Sequence, residues 1–289
     1  MRKRILITGG SGFVGRNLVE LLADRYEVSA PGRAELDLLE ASAVHRYLET
    51  GRFDTVIHAA TGRSNRKTTA PGLFQNNIRM FFNFARNSHL YRRMLHFGSG
   101  AEFDRRAYRP LMPESYFDAS VPEDDYGFAK YVCAKYTELA PNIVNLRLFG
   151  VFGKYEDWEV RFLSNVCCRL VHGLPVTVRQ NVRFDYLDIR DLAPITTWFI
   201  ENHPVHHTYN VCTGDPVEIL ALARTIAAGT EIHIVNSGMG TEYSGSNERL
   251  LAEIGPFPFR SKKESLQDLY SWYESRKFEI DPELLRFDG

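Results

Sequence analysis

The apolar run Ile5-Leu-Ile7 passes through Thr8 straight into Gly-Gly-Ser-Gly-Phe-Val-Gly15. That turn constrains the fold more than any other stretch. It reads in two registers, Gly9-x-x-Gly12-x-x-Gly15 or Gly10-x-Gly12-x-x-Gly15, and in both a strand ends, a tight turn follows and a helix opens. The backbone amides of Gly9, Gly10, Ser11, Gly12, Phe13, Val14 and Gly15 then cluster at a helix N-terminus. The missing side chains let a pyrophosphate approach that cluster closely. Glycines at this spacing also occur in ordinary surface turns, but the strand before and the helix after point to dinucleotide binding.

The rest of the first half repeats the same rhythm. Short β-rich runs at 4–8, 26–30, 55–59, 94–97 and 143–149 alternate with helical patterns near 12–23, 40–49, 72–88 and 126–139. Such alternation predicts an α/β chain with a Rossmann-type, doubly wound parallel sheet. Beyond it the pattern becomes irregular and is punctuated by Pro175, Pro204, Pro216, Pro256 and Pro258. We expect a dinucleotide-binding domain over 1–153, joined by returning segments at about 184–212. A smaller α/β substrate-binding lobe should take in about 154–183 and 213–289.

With 35 Lys+Arg against 36 Asp+Glu, the formal charge of -1 gives no electrostatic reason to expect nucleic acid or an anionic membrane as partner. The basic start Met1-Arg-Lys-Arg4 is followed by only three apolar residues before Thr8-Gly-Gly10, too few for a signal-peptide core. Cys133, Cys167, Cys168 and Cys212 lack the spacing of a disulfide framework or a zinc knuckle. A reducing, cytoplasmic setting is expected. His203, His206 and His207 have no carboxylate partner in sequence, so no metal site is expected.

Tyr126-Gly-Phe-Ala-Lys130 places a phenol and an ammonium one helical turn apart on a common face. The cation favours phenolate, which is how a phenol becomes a usable proton donor and acceptor near neutral pH. Alone, that spacing is also met on solvated helix faces. Its weight comes from the glycine turn upstream. At the end of the second β-run, where a carboxylate would read a free ribose, the chain offers Arg33. This favours NADP, and Glu35 keeps NAD possible. Asp37 and Leu38 sit where an adenine edge could be read, although a helix-initiating Asp accounts for them equally well.

With these features and the strand His96-Phe-Gly-Ser99, the chain resembles the extended short-chain dehydrogenase/reductase family over essentially its whole length, closest in appearance to its GDP-L-fucose synthase-like reductases. Further matching segments are Ile57-His-Ala-Ala60, Gln75-Asn-Asn-Ile78, Leu146-Arg-Leu-Phe-Gly-Val-Phe-Gly153, Phe184-Asp-Tyr-Leu-Asp-Ile-Arg-Asp191 and Tyr209-Asn-Val-Cys-Thr-Gly214. The resemblance implies a catalytic trio of Ser99, Tyr126 and Lys130. It also implies cofactor contacts from Ala59, Ala60, Thr61, Asn77 and Phe149, and a homodimer formed through the 72–88 and 126–139 helices, with Phe74, Ile78, Phe81, Phe82 and Phe84 available to the interface or to the core. Its departures narrow the chemistry. Sugar dehydratases of the family follow the catalytic hydroxyl with Asp and Glu; here Gly100 and Ala101 follow Ser99. The fucose synthase-like reductases carry an epimerising Cys where Ala101 stands. The family's substrate-contacting Asn is Gly150, and its substrate Arg falls on Phe184, with Arg183 displaced by one.

These residues lead to an expected activity: NADP-dependent reduction of a keto group, at C4, of a nucleotide-diphosphate sugar, with Ser99 bonding the carbonyl oxygen, Tyr126 donating the proton and Lys130 stabilising the phenolate. An NAD-dependent nucleotide-sugar 4-epimerase is the alternative, and a non-catalytic dinucleotide-binding protein is a third reading. Ser99, Ala101, Arg183 and Arg249 are the expected substrate contacts. Arg63, Arg66 and Lys67 form a basic loop that meets either a phosphate or solvent.

Overall fold

A computed structural model describes residues 2–62, 72–227 and 229–285. The first half runs β1 (Arg4–Thr8), α1 (Phe13–Leu22), β2 (Glu27–Ser29), α2 (Ala41–Gly51), β3 (Thr55–His58), α3 (Leu73–Ala85), β4 (Arg93–Ser99), α4 (Asp125–Thr137) and β5 (Ile143–Leu148). Each lies within a few residues of its expected position. The second half comprises β6 (Gly150–Phe152), α5 (Phe162–Val171), β7 (Val176–Asn181), β8 (Arg183–Phe184), β9 (Tyr186–Asp188), α6 (Ile189–Glu201), β10 (Thr208–Val211), β11 (Val217–Glu218), α7 (Ile219–Ile226), β12 (Ile232–Met239), α8 (Glu248–Ile254) and α9 (Lys262–Glu274).

The main sheet is parallel throughout, in the order β10-β5-β4-β3-β1-β2. From β1 the chain steps outward to β2, then crosses back to β3 on the other side. The crevice beyond the carboxyl ends of β1 and β3 is therefore the topological switch point, where sheets of this kind hold ligands. Strand alternation supplies two buried faces. Ile5, Ile7, Leu95 and Phe97 pack against Leu18, Leu22, Leu192 and Phe199 of α1 and α6. Leu6, Val56 and Met94 pack against Val44, Leu48, Phe81 and Phe84 of α2 and α3. Each such side chain contributes about 1.5–3 kcal/mol by leaving water. Phe81 and Phe84 are thus core residues at 0% exposure, while Phe74, Ile78 and Phe82 remain half-buried on the outer face of α3.

A second core gathers Leu163, Val166 and Cys167 of α5, Val176 and Val178 of β7, Leu220 of α7, and Leu266 and Leu269 of α9. Three two-stranded pairings lie outside the main sheet: β6 with β9, β7 with β12, and β8 with β11. Beside β8, the Tyr243 amide donates to the Arg183 carbonyl (3.0 Å) and the Asp185 amide donates to the Tyr243 carbonyl (3.0 Å). The lobe thereby delivers an extended segment to the carboxyl end of the sheet. Cys133, Cys167, Cys168 and Cys212 are buried free thiols. No described helix is long and apolar enough to cross a membrane.

Candidate active site

The glycine turn is closed by backbone atoms. Gly12 donates to the Gly9 carbonyl at 2.9 Å. Gly9 has φ +70°, and a Cβ there would stand 2.8 Å from the Ala60 Cα. At Gly15 a Cβ would run into the Gly9 carbonyl group, 2.7 Å from its carbon. Only glycine lets β1, α1 and the end of β3 converge this closely. Gly12 caps α1 with no side-chain hydrogen bond, so the first amides of the helix are left for an anion. The cradle has room and free amides for a dinucleotide pyrophosphate.

Around the cradle, the expected cofactor residues divide. Ala60 donates its amide to Thr8 Oγ1 (3.2 Å), which joins Ala59 and Ala60 to the rim of the turn. Arg33 is 84% exposed and leans on Asp37 at 3.6 Å. Asp37 Oδ1 accepts the Leu39 amide (3.0 Å), and the Leu38 carbonyl accepts from Asn83 (2.8 Å). Asn77 clamps the chain beyond Thr61: its Oδ1 accepts the Gly62 amide (2.7 Å) and its Nδ2 donates to the Gly62 carbonyl (3.0 Å). Arg63, Arg66 and Lys67 lie outside the described residues.

Ser99 ends β4, and Tyr126 lies in the first turn of α4 with Lys130 one turn on. Asp124 starts that helix by accepting the Gly127 amide at 2.9 Å. Gly127 in turn allows close approach, since a Cβ there would be 2.7 Å from the Ala101 carbonyl oxygen. The trio is thus assembled on two touching elements. Lys130 is 7% exposed and donates to the Phe97 carbonyl at 2.6 Å. Its charge reaches His58 and His96, whose rings lie 5.5 Å apart. Burial first and that charge second hold His58 down to about 3 and push His96 well below its ordinary value. Both imidazoles are neutral under the site, with His58 Nδ1 3.1 Å from Thr8 Oγ1.

Sequence reasoning missed the support beneath Ser99. Glu102, fully buried, accepts the Ser99 amide (2.9 Å), while the Ser99 hydroxyl accepts the Ala101 amide (3.1 Å), closing a capping box. Glu102 also accepts from Asn145 (2.9 Å) and Arg147 (2.6 Å), and Arg147 continues to Asn210 at 3.0 Å. The Arg147 guanidinium lies 4.5 Å from the Phe103 ring and 4.9 Å from that of Phe117. A charge pair with no solvent access holds the serine in place. A Glu three residues after a strand-end Ser was its only sequence signal.

The substrate side departs most from expectation. Tyr243, Phe184, Phe149 and Tyr108 form a continuous aromatic wall, with Tyr243 at 4.8, 5.2 and 5.3 Å from the other three. At two of the family departures, Gly150 and Gly100, a ring fills the space. A Cβ at Gly150 would lie 2.8 Å from Phe184 Cδ1, and one at Gly100 would lie 2.8 Å from Tyr243 Cζ and closer still to its hydroxyl. The Tyr243 phenol is packed within this wall. Burial, then Tyr108 and Tyr126, raise it well above the usual phenol range, so it stays protonated. No sequence pattern marked Tyr243. Phe149 belongs to this wall. Ala101 is 4% exposed, so what it brings to the site is mainly its backbone.

Of the two expected diphosphate ligands, Arg183 stays on this side, paired with Glu242 at 3.4 Å and donating to the Pro216 carbonyl at 2.8 Å. Arg249 does not reach the site. It donates to the Thr208 carbonyl (3.1 Å) and faces Glu114 (3.8 Å), at the amino end of β10, in a recess of about 190 Å³ shared with His206 and His207. The spacing from Tyr209-Asn-Val-Cys-Thr-Gly214 gave no indication of which end of β10 α8 would cover.

The pattern of the NAD dependent epimerase/dehydratase family matches residues 5–212. The chain belongs to that family. Membership makes it one of a class of dinucleotide-using enzymes and agrees with the Rossmann-like sheet. Among curated relatives, GDP-L-fucose synthase of Azorhizobium caulinodans is 25% identical over 94% of this chain and 96% of that protein. Among solved structures, the Bordetella bronchiseptica enzyme WbmG in complex with NAD and UDP superposes with a TM-score of 0.83 at 20% identity, over 96% of each chain. GDP-mannoheptose C4 reductase from Campylobacter jejuni with NADP bound superposes with a TM-score of 0.80 at 21% identity, over 94% of this chain and 98% of that one. At these identities the superpositions establish the fold of this family member.

Proposed function

We propose that the protein reduces a keto group, at C4, of a nucleotide-diphosphate sugar. The observation that carries this reading is the seating of Ser99 and Tyr126 on contacting elements at the carboxyl end of the sheet, with Lys130 buried behind them. A nicotinamide dinucleotide, seated with its pyrophosphate on the Gly9–Gly15 turn, supplies hydride when bound. Tyr126 gives the carbonyl oxygen its proton, Ser99 orients that oxygen, and Lys130 holds charge next to the phenolate that remains. Neither of the two residues after Ser99 can abstract a proton from the sugar: Gly100 has no side chain and Ala101 has only a methyl. Reduction therefore fits better than dehydration or than epimerisation beside the ketone. The relatives named for GDP-linked sugars make the GDP-sugars the first substrates to try.

Arg33 favours NADP as cofactor. Its exposure and its pairing with Asp37 keep the second reading open, an NAD-dependent 4-epimerase using the same trio. We also infer a homodimer through the half-buried outer faces of α3 and α4, where Phe74 and Phe128 stack at 5.4 Å. The deciding experiment incubates the full chain with NADPH and a panel of GDP-, dTDP- and UDP-linked 4-keto hexoses. Consumption of NADPH by wild type, falling by about 10²–10⁴ in Tyr126→Phe with unchanged dinucleotide affinity, supports the reductase. Tightly retained NAD and interconversion of UDP-hexoses would favour the epimerase instead.

A further inference from the structure

Behind Ser99, one nitrogen of a buried guanidinium is left over. Arg147 is fully buried. Its Nε donates to Glu102 (2.6 Å) and its Nη1 to Asn210 (3.0 Å), while the Phe103 and Phe117 rings lie against its guanidinium. Nη2 has no hydrogen-bond partner among the described residues. A guanidinium nitrogen can only donate, and a buried donor without an acceptor is costly. Arg147 also lines the recess of about 190 Å³ that takes in Arg249, His206 and His207. That volume has room for several waters or for one small oxyanion.

Two carboxylates line the recess as well, and each is already engaged. Glu114 accepts the Asn210 amide (2.8 Å) and faces Arg249 (3.8 Å), and Glu138 pairs with Lys135 (3.0 Å). A cation entering here would meet Arg147 and Arg249 as like charges and could accept nothing from Nη2. The donors call for an acceptor. We propose that the recess is a binding site for a small oxyanion, a phosphate or a phosphate monoester, gripped between Arg147 Nη2 and the Arg249 guanidinium with His206 and His207 beside it. Guanidinium forks match the oxygen spacing of such anions. Arg249, 31% exposed, is the arm free to adjust, and Arg147 is the fixed one. The site opens at the amino end of β10, whereas the glycine turn and Ser99 lie at carboxyl ends of the same parallel sheet. One path joins the two: Arg147 holds Glu102, and the other Glu102 oxygen accepts the Ser99 amide (2.9 Å).

The test titrates the full chain with sodium phosphate at an ionic strength held constant with sodium chloride, and reads the melting temperature. NADPH at saturation keeps phosphate off the glycine turn. The melting temperature of wild type should climb with the logarithm of phosphate concentration once the site fills. Arg249→Gln should weaken the apparent phosphate affinity about ten- to a hundredfold, as on loss of one charge-assisted contact, with NADPH affinity unchanged. Arg249→Lys keeps the charge and should retain part of the response. Arg147 is left intact, because its removal would strand Glu102 as a buried charge. Glycerol phosphate distinguishes the two sources: affinity equal to that of inorganic phosphate shows that the recess takes esters, and lost affinity restricts it to the free ion. A wild-type response no greater than that to sodium chloride alone overturns the proposal, since ordered water then serves Nη2. Equal responses in wild type and Arg249→Gln overturn it too, because phosphate is then bound elsewhere. Neither result bears on the reductase reading, from which this site is independent.

Discussion

At the cofactor end, Gly9 meets Ala60 and Gly15 meets Gly9 through backbone atoms; at the substrate end, Tyr243 meets Gly100 and Phe184 meets Gly150 through ring atoms brought from another lobe. Both ends use missing side chains to gain close approach. At the first, the beneficiary is a ligand that binds amides, and any dinucleotide will satisfy them. At the second, the space is taken by the protein's own rings, so its shape depends on which rings are present. On the proposed reading, the cofactor end is built from backbone atoms and the substrate end from particular side chains.

That contrast can be tested from the largest effect downward. Glu102 supports the substrate end, and Glu102→Ala should strand Arg147 as an unpaired buried charge. The expected loss is about 3–5 kcal/mol in urea unfolding. A loss below about 1 kcal/mol would mean that the pair contributes little. Beneath the cofactor end, His58 takes its proton near 6.5 when unfolded and only near about 3 when folded. Between those values the unfolded chain alone binds the proton, so the stability this histidine provides is whole above about pH 6.5 and declines as pH falls towards 3. At about 1.4 kcal/mol per pH unit, roughly 3 kcal/mol should be gone by about pH 4, and His58→Gln should flatten that slope.

Gly100→Ala probes the wall directly. A methyl there presses on the Tyr243 ring, and overpacking should cost about 1–3 kcal/mol of stability, with a parallel fall in keto-sugar reduction and no change in NADPH affinity. Equal losses of cofactor binding and turnover would erase the distinction between the two ends. The smallest effect is expected at Arg33. A charge-assisted contact at an 84%-exposed arginine already paired with Asp37 should discriminate NADPH from NADH by less than about tenfold. Arg33→Ala, followed by fluorescence titration with each dinucleotide, measures it.

The same contrast explains what could be read from the chain in advance. Gly9 to Gly15, the alternating strands and the Tyr126 and Lys130 pair declare themselves through local spacing, because strand, turn and helix are local structures, whereas Ser99 entered only through the family resemblance. Tyr243 and Arg249 do not. Their positions follow from how β8, β10 and α8 dock, and sidedness at that level depends on packing between distant segments. Glu102 was nearly legible: its capping-box spacing from Ser99 is local, but its partners Asn145 and Arg147 lie more than forty residues away. Gly150 and Phe184 registered separately as departures from the family pattern. Only the fold shows that they compensate one another.

The glycine–ring pairs also bear on how this enzyme can change. A ring that fills a neighbour's vacancy makes the two positions interdependent, so replacing Gly100 alone or Tyr243 alone passes through a form with either a collision or a hole. Variation confined to one position at a time will find this wall unyielding, whereas libraries that vary residues 100 with 243, and 150 with 184, as linked pairs can reshape it without either.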